Sequence, residues 1–224
     1  MKTKGNMYSF VNKTRNYLAG ACPHMCKYCF INDLKKKFPA INKKYSGEIR
    51  LIEKELKKNE GKGNFIFVQD MGDLFAWNVP IEAIKAILRH CSDYPENTYL
   101  FQSKNPERMA LFKELYPPKT VLCTTIESNR DYNISKAPSI HQRAVEFEKL
   151  QFDKCLTLEP LMDFDLDSFV ELIKFINPLW VNIGSDSKGY GLIEPSKEKI
   201  LALIEELKKF TTVKLKENLG RLIK

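Results

Sequence analysis

Three of the six cysteines lie close together in the N-terminal part of the chain. Three and two residues separate Cys22, Cys26 and Cys29, whereas the other three cysteines are isolated. Three thiolates on one tight loop can each ligate one iron of a [4Fe–4S] cluster, which leaves the fourth iron open to a substrate or cofactor. Zinc is the alternative, although zinc sites usually add a second Cys or His pair at short spacing. The spacing therefore predicts a metal centre on this loop.

Polar and charged side chains follow most of the predicted strands at the point where each strand ends. The candidates for a site among them are Asp70, Asp73, Lys104, Thr125, Glu127, Glu159, Asn182 and Gly184. In parallel β/α architectures the C-terminal ends of the strands carry the chemistry, so we expect these residues to face one site. Each can instead cap the helix that follows. Glu159 is the least suited to capping because it stands between a buried strand and Pro160, and we predict a catalytic role for it.

Short apolar strands alternate with amphipathic helical stretches along the chain. The predicted strands lie at residues 16–20, 65–68, 98–101, 120–123, 155–158 and 179–183, with a short last strand at 212–215. Helices are predicted between them, the first over residues 45–59. This alternation predicts parallel strands buried on both faces.

The length of the chain selects among parallel β/α folds. Because an eight-unit barrel takes about 250 residues, we predict that residues 1–224 form one domain, an open partial (β/α)6 barrel of the TIM type. A doubly wound sheet is the alternative, but the glycine fingerprint of dinucleotide folds is missing after the first strand.

The formal net charge of +8 is concentrated near the N-terminus. Residues 1–60 hold 14 basic and five acidic side chains, whereas the remaining 164 residues have a net charge of −1. Such a region can attract nucleic acid, although a solvated lysine-rich face is the simpler interpretation. No apolar run reaches the roughly 20 residues of a membrane span. Residues 1–6 are followed by no apolar signal core, so we expect a cytoplasmic protein without a disulfide framework.

The cysteine spacing, with Tyr28 directly before the last cysteine, resembles the signature of radical S-adenosylmethionine (SAM) enzymes. Later segments resemble successive motifs of a phage-associated radical SAM family of unsettled activity, at residues 67–75, 102–109, 124–128, 158–161, 180–184 and 214–218. The resemblance implies a six-unit partial barrel, a [4Fe–4S] cluster on Cys22, Cys26 and Cys29, and SAM bound to the fourth iron. It also implies an external one-electron reductant, which drives cleavage of SAM to methionine and a 5′-deoxyadenosyl radical that abstracts hydrogen from a substrate.

The same resemblance suggests which residues hold SAM. Many radical SAM enzymes carry Gly-Gly-Glu after the second strand, where this chain reads Gln69-Asp70-Met71-Gly72-Asp73. Because the SAM amino group is cationic when free, we expect either Asp70 or Asp73 to accept from it, with the backbone at Met71 as the alternative. The candidates for binding the SAM carboxylate or a substrate phosphate are Lys104, Arg108, Arg130 and Arg143. Surface salt bridging is the simpler interpretation for each, and Lys104 is the best candidate because it directly follows a strand.

Further roles follow from position along the chain. Candidates for contacts to the rest of SAM are Thr125 and Glu127 at the ribose, Asn182 and Gly184 at the adenine edge, and Tyr28 near the adenine or the cluster. Cys123 is a candidate hydrogen donor to a product radical, and a buried structural cysteine is the alternative.

The resemblance does not specify a substrate. The basic N-terminal third makes nucleic acid or a nucleotide one candidate. Two other classes of function remain open, namely an iron–sulfur redox-sensing or SAM-binding module without turnover and a zinc-stabilised β/α protein. Reductant-dependent cleavage of SAM distinguishes the enzyme from both.

Overall fold

A computed structural model describes residues 7–224 of the chain. Residues 1–6, which include Lys2 and Lys4 of the basic N-terminal third, lie outside the described residues. The strands are β1 (Lys13–Arg15), β2 (Leu18–Ala19), β3 (Arg50–Leu51), β4 (Phe65–Val68), β5 (Thr98–Gln102), β6 (Thr120–Thr125), β7 (Asp153–Leu158), β8 (Trp180–Ile183) and β9 (Thr212–Leu215). The α-helices are α1 (Phe30–Lys37), α2 (Pro39–Lys44), α3 (Ile81–Ser92), α4 (Pro106–Ala110), α5 (Ile140–Glu148), α6 (Leu166–Ile176), α7 (Lys197–Lys208) and α8 (Gly220–Ile223).

Seven of the strands form one parallel sheet in the order β1-β4-β5-β6-β7-β8-β9. The order follows the chain, so each crossover returns to the neighbouring strand and the helices α4 to α7 pack consecutively against one another. This winding gives an open partial barrel whose edges are β1 and β9. The predicted α/β fold is therefore confirmed, including the short last strand. The first strand is misplaced in the prediction, because β1 lies at Lys13–Arg15 whereas the predicted residues 16–20 contain β2 of a separate two-stranded sheet.

The strands alternate between two apolar environments, as their period of two requires. Residues such as Phe101, Leu122 and Leu156 point outward into the large core beneath the helices. Leu100 and Val121 point inward and belong to a smaller interior cluster. Both faces are thus buried, which explains the continuous apolar runs in the sequence.

The segment before β1 fills the interior of the barrel. Tyr8 packs against Phe67 of β4, while the Phe10 ring lies 5.4 Å from Trp180 of β8. The ammonium of Lys214 in β9 lies 4.2 Å from the Phe10 ring centroid. This segment therefore crosses from one side of the open barrel to the other and forms its floor.

The helix predicted over residues 45–59 is wrong. The stretch instead contains β3, which pairs antiparallel with β2, and a 3₁₀ helix at Glu53–Lys57. Gly47, with φ of +74°, interrupts the right-handed backbone just before β3. The apolar residues that looked helical face the core from a strand and a short turn, because tertiary pairing overrides local periodicity here. In the described part of the chain, no helix has both the length and the apolar content to cross a bilayer.

Candidate active site

The three clustered cysteines lie on the loop that joins β2 to α1. The loop begins at Gly20, whose φ is +106° and where a Cβ atom would overlap the backbone of Glu48. Its middle is held by the segment after β6, since Lys27 N donates to Ile134 O at 2.9 Å and Lys136 N donates to His24 O at 2.6 Å. Two backbone hydrogen bonds to the segment after β6 therefore fix the middle of the loop.

All three cysteines line one cavity of about 510 Å³ at the C-terminal ends of the strands. Each has a free thiol, so the donor set is three sulfurs that face a common volume. Among residues 7–224, no three Cys, His, Asp or Glu side chains converge on a single point as the ligands of one metal ion would. A cubane binds each thiolate through a different iron, so its ligands surround a volume rather than a point. The donor set and the cavity fit a cluster of that kind.

Burial affects the protonation of two of these thiols, Cys22 and Cys26. Burial and then the nearby Asp73 carboxylate raise the pKa of Cys22 to about 12. Burial also raises the pKa of Cys26, against the opposing effect of the Lys104 ammonium. In the absence of a metal these groups are therefore neutral thiols near pH 7, and metal binding releases their protons.

Asp73 connects the cysteine loop to the sheet. Its carboxylate accepts hydrogen bonds from His24 Nε2 at 2.8 Å, Ser103 Oγ at 2.7 Å, and the backbone N–H groups of Lys104 and Phe75, each at 2.8 Å. Burial alone would raise the pKa of Asp73, but these hydrogen bonds hold it below its usual value. Asp73 is thus an ionised, fully bonded carboxylate that joins the loop, the turn after β4 and the end of β5.

Asp70 differs from Asp73 although both line the cavity. It accepts one side-chain hydrogen bond, from Asn16 Nδ2 at 2.6 Å, and burial raises the pKa of its carboxyl group. A buried carboxylate with one side-chain donor has acceptor capacity left for a cationic ligand. Of the two aspartates, Asp70 is the one able to bind an ammonium without losing existing contacts.

A second cluster of charges lies behind the cysteine loop. Glu127, with 1% of its surface exposed, accepts from Tyr28 Oη and Lys104 Nζ, and its other oxygen lies 2.9 Å from Arg143 Nη2. The Lys104 ammonium also donates to Tyr28 Oη and lies 4.7 Å from the centroid of that ring. Burial would raise the pKa of Glu127, but the Lys104 and Arg143 cations lower it to about 2.

The far side of the cavity is formed by Glu159 after β7. Its carboxylate accepts from Lys216 Nζ and from Asn218 Nδ2, the latter at 2.8 Å. Gly184 lies directly against it, and a Cβ atom there would come within 2.7 Å of Glu159 Oε1. A glycine at this position therefore lets the carboxylate and the β8 strand approach closely.

Nine of the thirteen predicted site residues line the cavity, and they come from the cysteine loop and from the C-terminal ends of β4 to β7. They are Cys22, Cys26, Tyr28, Cys29, Asp70, Asp73, Lys104, Thr125 and Glu159. Thr125 Oγ1 accepts from Gln102 Nε2 at 3.3 Å on the cavity floor.

The other four predicted residues do not line this cavity. Cys123 is fully buried and packs with Tyr8 in the interior cluster. Glu127 is enclosed by the two cations described above. Asn182 is buried and donates to Leu156 O at 3.1 Å, and the backbone N–H of Gly184 is taken by Leu158 O. Strand position was the only information behind these assignments, and it does not reveal which side chains are already bonded within the protein.

Several cavity residues were not among the predicted site residues, notably His24, Gln102, Tyr8 and Lys216. Lys216 lies two residues beyond Lys214, so strand alternation places both on the same face. Tyr8 lies in a stretch without periodicity, and no sequence signal indicates that its hydroxyl reaches Gln102 Oε1 at 2.9 Å.

Comparison with known proteins identifies the family. The model of one family of proteins of unknown function matches residues 7–192, which is most of the chain. The chain belongs to the DUF5131 family. No curated protein matches it.

Solved structures of spore photoproduct lyase, a radical SAM enzyme, share the fold of this DUF5131 protein. A cysteine-to-serine variant of that lyase aligns with a TM-score of 0.67 and 11% identity, covering 94% of this chain and 78% of the lyase. A second variant, with AdoMet and a dinucleoside spore photoproduct bound, gives a TM-score of 0.66 and 12% identity over the same shares of the two chains. At this identity the likeness shows the fold, which is that of the radical SAM partial barrel.

One segment of the DUF5131 protein crosses the mouth of the cavity. Residues 185–190 line the cavity, and Tyr190 Oη donates to Asp33 Oδ2 of α1 at 2.5 Å. Gly189 and Gly191, with φ near +70° and open space around them, flank Tyr190. Burial, and then the Asp33 carboxylate, raise the pKa of Tyr190. Ser185 and Ser187 also bond to Asn218, and the Tyr190–Asp33 hydrogen bond ties the glycine-flanked end of the segment to α1.

We expect Tyr190→Phe to loosen this segment. A hydrogen bond to a carboxylate contributes about 1.5–3 kcal/mol when buried, and this half-buried one contributes about 1 kcal/mol, which corresponds to about fivefold more opening. Limited trypsin digestion measures opening through cleavage after the exposed Lys188, which yields fragments 1–188 and 189–224. Tyr94→Phe, which removes a hydroxyl elsewhere, is the control. Equal cleavage rates in the two variants would show that the contact does not restrain the segment.

Proposed function

We propose that this DUF5131 protein is a radical SAM enzyme with a [4Fe–4S] cluster on Cys22, Cys26 and Cys29. The observation that carries the proposal is that three free thiols at this spacing face one cavity at the C-terminal ends of a partial barrel. A cluster with SAM bound supplies reductive cleavage of SAM to methionine and a 5′-deoxyadenosyl radical that abstracts hydrogen from the substrate. An external one-electron donor is required.

Within this proposal, Asp70 binds the SAM ammonium and Asp73 does not. All four donors around Asp73 come from the protein itself, whereas among the side chains of residues 7–224 Asp70 accepts from Asn16 alone. A salt bridge to a partly buried carboxylate is stronger than a neutral contact, and the ammonium would lower the raised pKa of Asp70.

Other cavity residues have supporting roles in the proposal. Lys104 and Tyr28 form the wall beside the cysteines, where Lys104 faces the SAM carboxylate, and Thr125 faces the ribose from the floor. Glu159 binds the substrate on the far side, where Lys216 Nζ and Asn218 Nδ2 orient its carboxylate. The burial of Cys123 beneath Tyr8 gives no support to direct hydrogen donation from that thiol.

The substrate class that we propose is nucleic acid or a nucleotide. Supporting it are the net charge of +9 over residues 1–60 and the fold shared with a lyase whose solved structure holds a dinucleoside photoproduct. The cavity of about 510 Å³ is sized for small groups, so a polymer would insert one unit and leave the rest outside.

The test is anaerobic iron–sulfur reconstitution followed by incubation with SAM and dithionite, with 5′-deoxyadenosine as the readout. We expect iron, sulfide and deoxyadenosine in the wild type and their loss in Cys26→Ala, because one thiolate ligand is gone. Cys91→Ala is the matched control, since Cys91 is a free, buried thiol on α3 far from the loop in sequence.

Two outcomes would contradict the proposal. A cluster that forms without any SAM cleavage would favour the redox-sensing or SAM-binding module. One zinc and no iron after anaerobic purification would favour a structural metal site instead.

A further inference from the structure

The surface beside the cavity mouth is strongly basic. It consists of α1, α2 and residues 50–58, and its exposed cations include Lys36, Lys37, Lys43, Arg50, Lys54 and Lys57. Within residues 7–224, only Lys36 of these six forms an ion pair, a long one of 4.0 Å to Asp33. We call this surface the basic face. Five of these six cations therefore have no ion-pair partner among the described residues, while Glu53 and Glu55 lie on the same face and Glu55 pairs with Lys58 at 2.6 Å.

The basic face is one continuous patch that reaches the cavity. Arg50 Nη2 donates to Lys44 O at 3.4 Å, which places the guanidinium at the end of α2. Burial lowers the pKa of Lys44. Among the nearby charges, Glu55 raises this pKa, Lys54 and Lys58 lower it, and Asp70 in the cavity wall raises it. These cations are thus near enough to one another, and to the cavity wall, to act on the same ligand.

Exposed aromatic rings lie at both ends of α1. Phe30, 42% exposed, follows Cys29 and lines the cavity, and Phe38, 52% exposed, follows Lys35-Lys36-Lys37. Phe38 is eight residues after Phe30, which corresponds to about 12 Å along the helix. Aromatic side chains interleaved with cations match single-stranded nucleic acid, in which unpaired bases stack on rings while phosphates contact lysine and arginine.

We infer that the basic face binds single-stranded nucleic acid, with its backbone along α1 and α2 and one base directed past Phe30 into the cavity. The inference rests on the proposed function, because it supplies the polymer on which the cavity would act. A duplex fits the arrangement less well, since its stacked bases cannot meet Phe30 and Phe38.

The experiment is a fluorescence anisotropy titration of the cofactor-free protein with a labelled single strand of about 15 nucleotides, a typical length for such grooves. We expect binding at low salt, and we expect the logarithm of the association constant to fall linearly with the logarithm of the salt concentration. Lys37→Glu with Lys43→Glu is expected to lower affinity at least tenfold and to reduce the salt slope by about 1.4, at about 0.7 per phosphate contact. Phe38→Ala is expected to lower affinity about fivefold or more with the slope unchanged, because stacking contributes about 1–3 kcal/mol per base.

The control reverses the same number of charges at the other end of the barrel. Lys113→Glu with Lys119→Glu changes two exposed lysines that precede β6, opposite the cavity mouth, and should leave affinity unchanged. Thermal melts of all variants establish that they fold. An equal loss of affinity in both double variants would overturn the inference, as would tighter binding of duplex than of single strand.

The failure of this inference is distinguishable from that of the proposed function. Deoxyadenosine formation without oligonucleotide binding would overturn the nucleic-acid face and leave the radical SAM activity standing. Oligonucleotide binding without deoxyadenosine formation would overturn the radical SAM activity and leave the nucleic-acid face standing. No detectable binding even at low salt would show that the basic face is a solvated surface.

Discussion

Replacing Glu127 with glutamine is expected to destabilise the cofactor-free protein by about 3–5 kcal/mol, because it leaves two buried cations without their counter-charge. Lys104 and Arg143 are both nearly inaccessible to solvent and both contact this carboxylate. The amide of glutamine would also place its own donor against one of them. Domains of this kind have a total stability of about 5–15 kcal/mol, so the variant would be close to unfolding.

The effect should depend on pH in a defined direction. The pKa of Glu127 is about 2 in the folded protein and 4.5 in an ordinary setting, so the folded state favours the ionised form. Its contribution is complete above about pH 4.5 and is lost as the pH falls towards 2. The difference in unfolding free energy between wild type and variant should therefore shrink on acidification, since a protonated glutamate resembles glutamine.

Urea unfolding at about pH 6 and again at about pH 3 measures this difference. Glu206→Gln is the matched control, because Glu206 pairs with Lys209 at 2.7 Å on the exposed face of α7. Exposed pairs contribute little, so this control should change the unfolding free energy by less than about 0.5 kcal/mol. Similar losses in the two variants would mean that the buried network does not stabilise the fold.

Most of the fold could be predicted because parallel sheets have a strong signature in sequence. Strands such as β4 and β6 are buried on both faces and appear as continuous apolar runs between amphipathic helices. β1, β3 and the 3₁₀ helix lack such a signature, and the strand predicted at residues 16–20 contains only the two-residue β2, because these short pairings are fixed by tertiary contacts. The N-terminal segment that forms the floor of the barrel could not be predicted from the sequence either, because Tyr8 and Phe10 lie in an irregular segment.

The location of the candidate site could be predicted from the sequence, but the role of each of its residues could not. Strand ends converge in any parallel barrel, which is why Asp70, Lys104 and Glu159 line the same cavity. Which of two neighbouring carboxylates is free for a ligand depends on donors that are distant in sequence. His24 and Ser103 donate hydrogen bonds to Asp73, and no sequence pattern around Asp73 indicates these contacts.

These different roles lead to the second large expected effect. Asp73→Asn should lower stability and iron incorporation, whereas Asp70→Asn should lower SAM affinity. Asp73→Asn puts an amide donor among four donors, so we expect a loss of about 3 kcal/mol in unfolding free energy. It also detaches His24 and with it the cysteine loop, so iron incorporation on reconstitution should fall severalfold. The pKa of Asp73 is lowered in the folded protein, so wild type loses this contribution as the pH falls through and below 3.8.

Asp70→Asn is the matched control for stability and the test for binding. One hydrogen bond from Asn16 survives the change, so we expect a loss below about 1 kcal/mol and normal iron content. SAM affinity, measured by equilibrium dialysis on reconstituted protein, should fall at least tenfold because the ammonium loses its charged partner. A tenfold loss of SAM affinity in Asp73→Asn with its stability intact would reverse the two roles. The fully bonded carboxylate would then be the ligand site, and the four protein donors would have to rearrange when SAM binds.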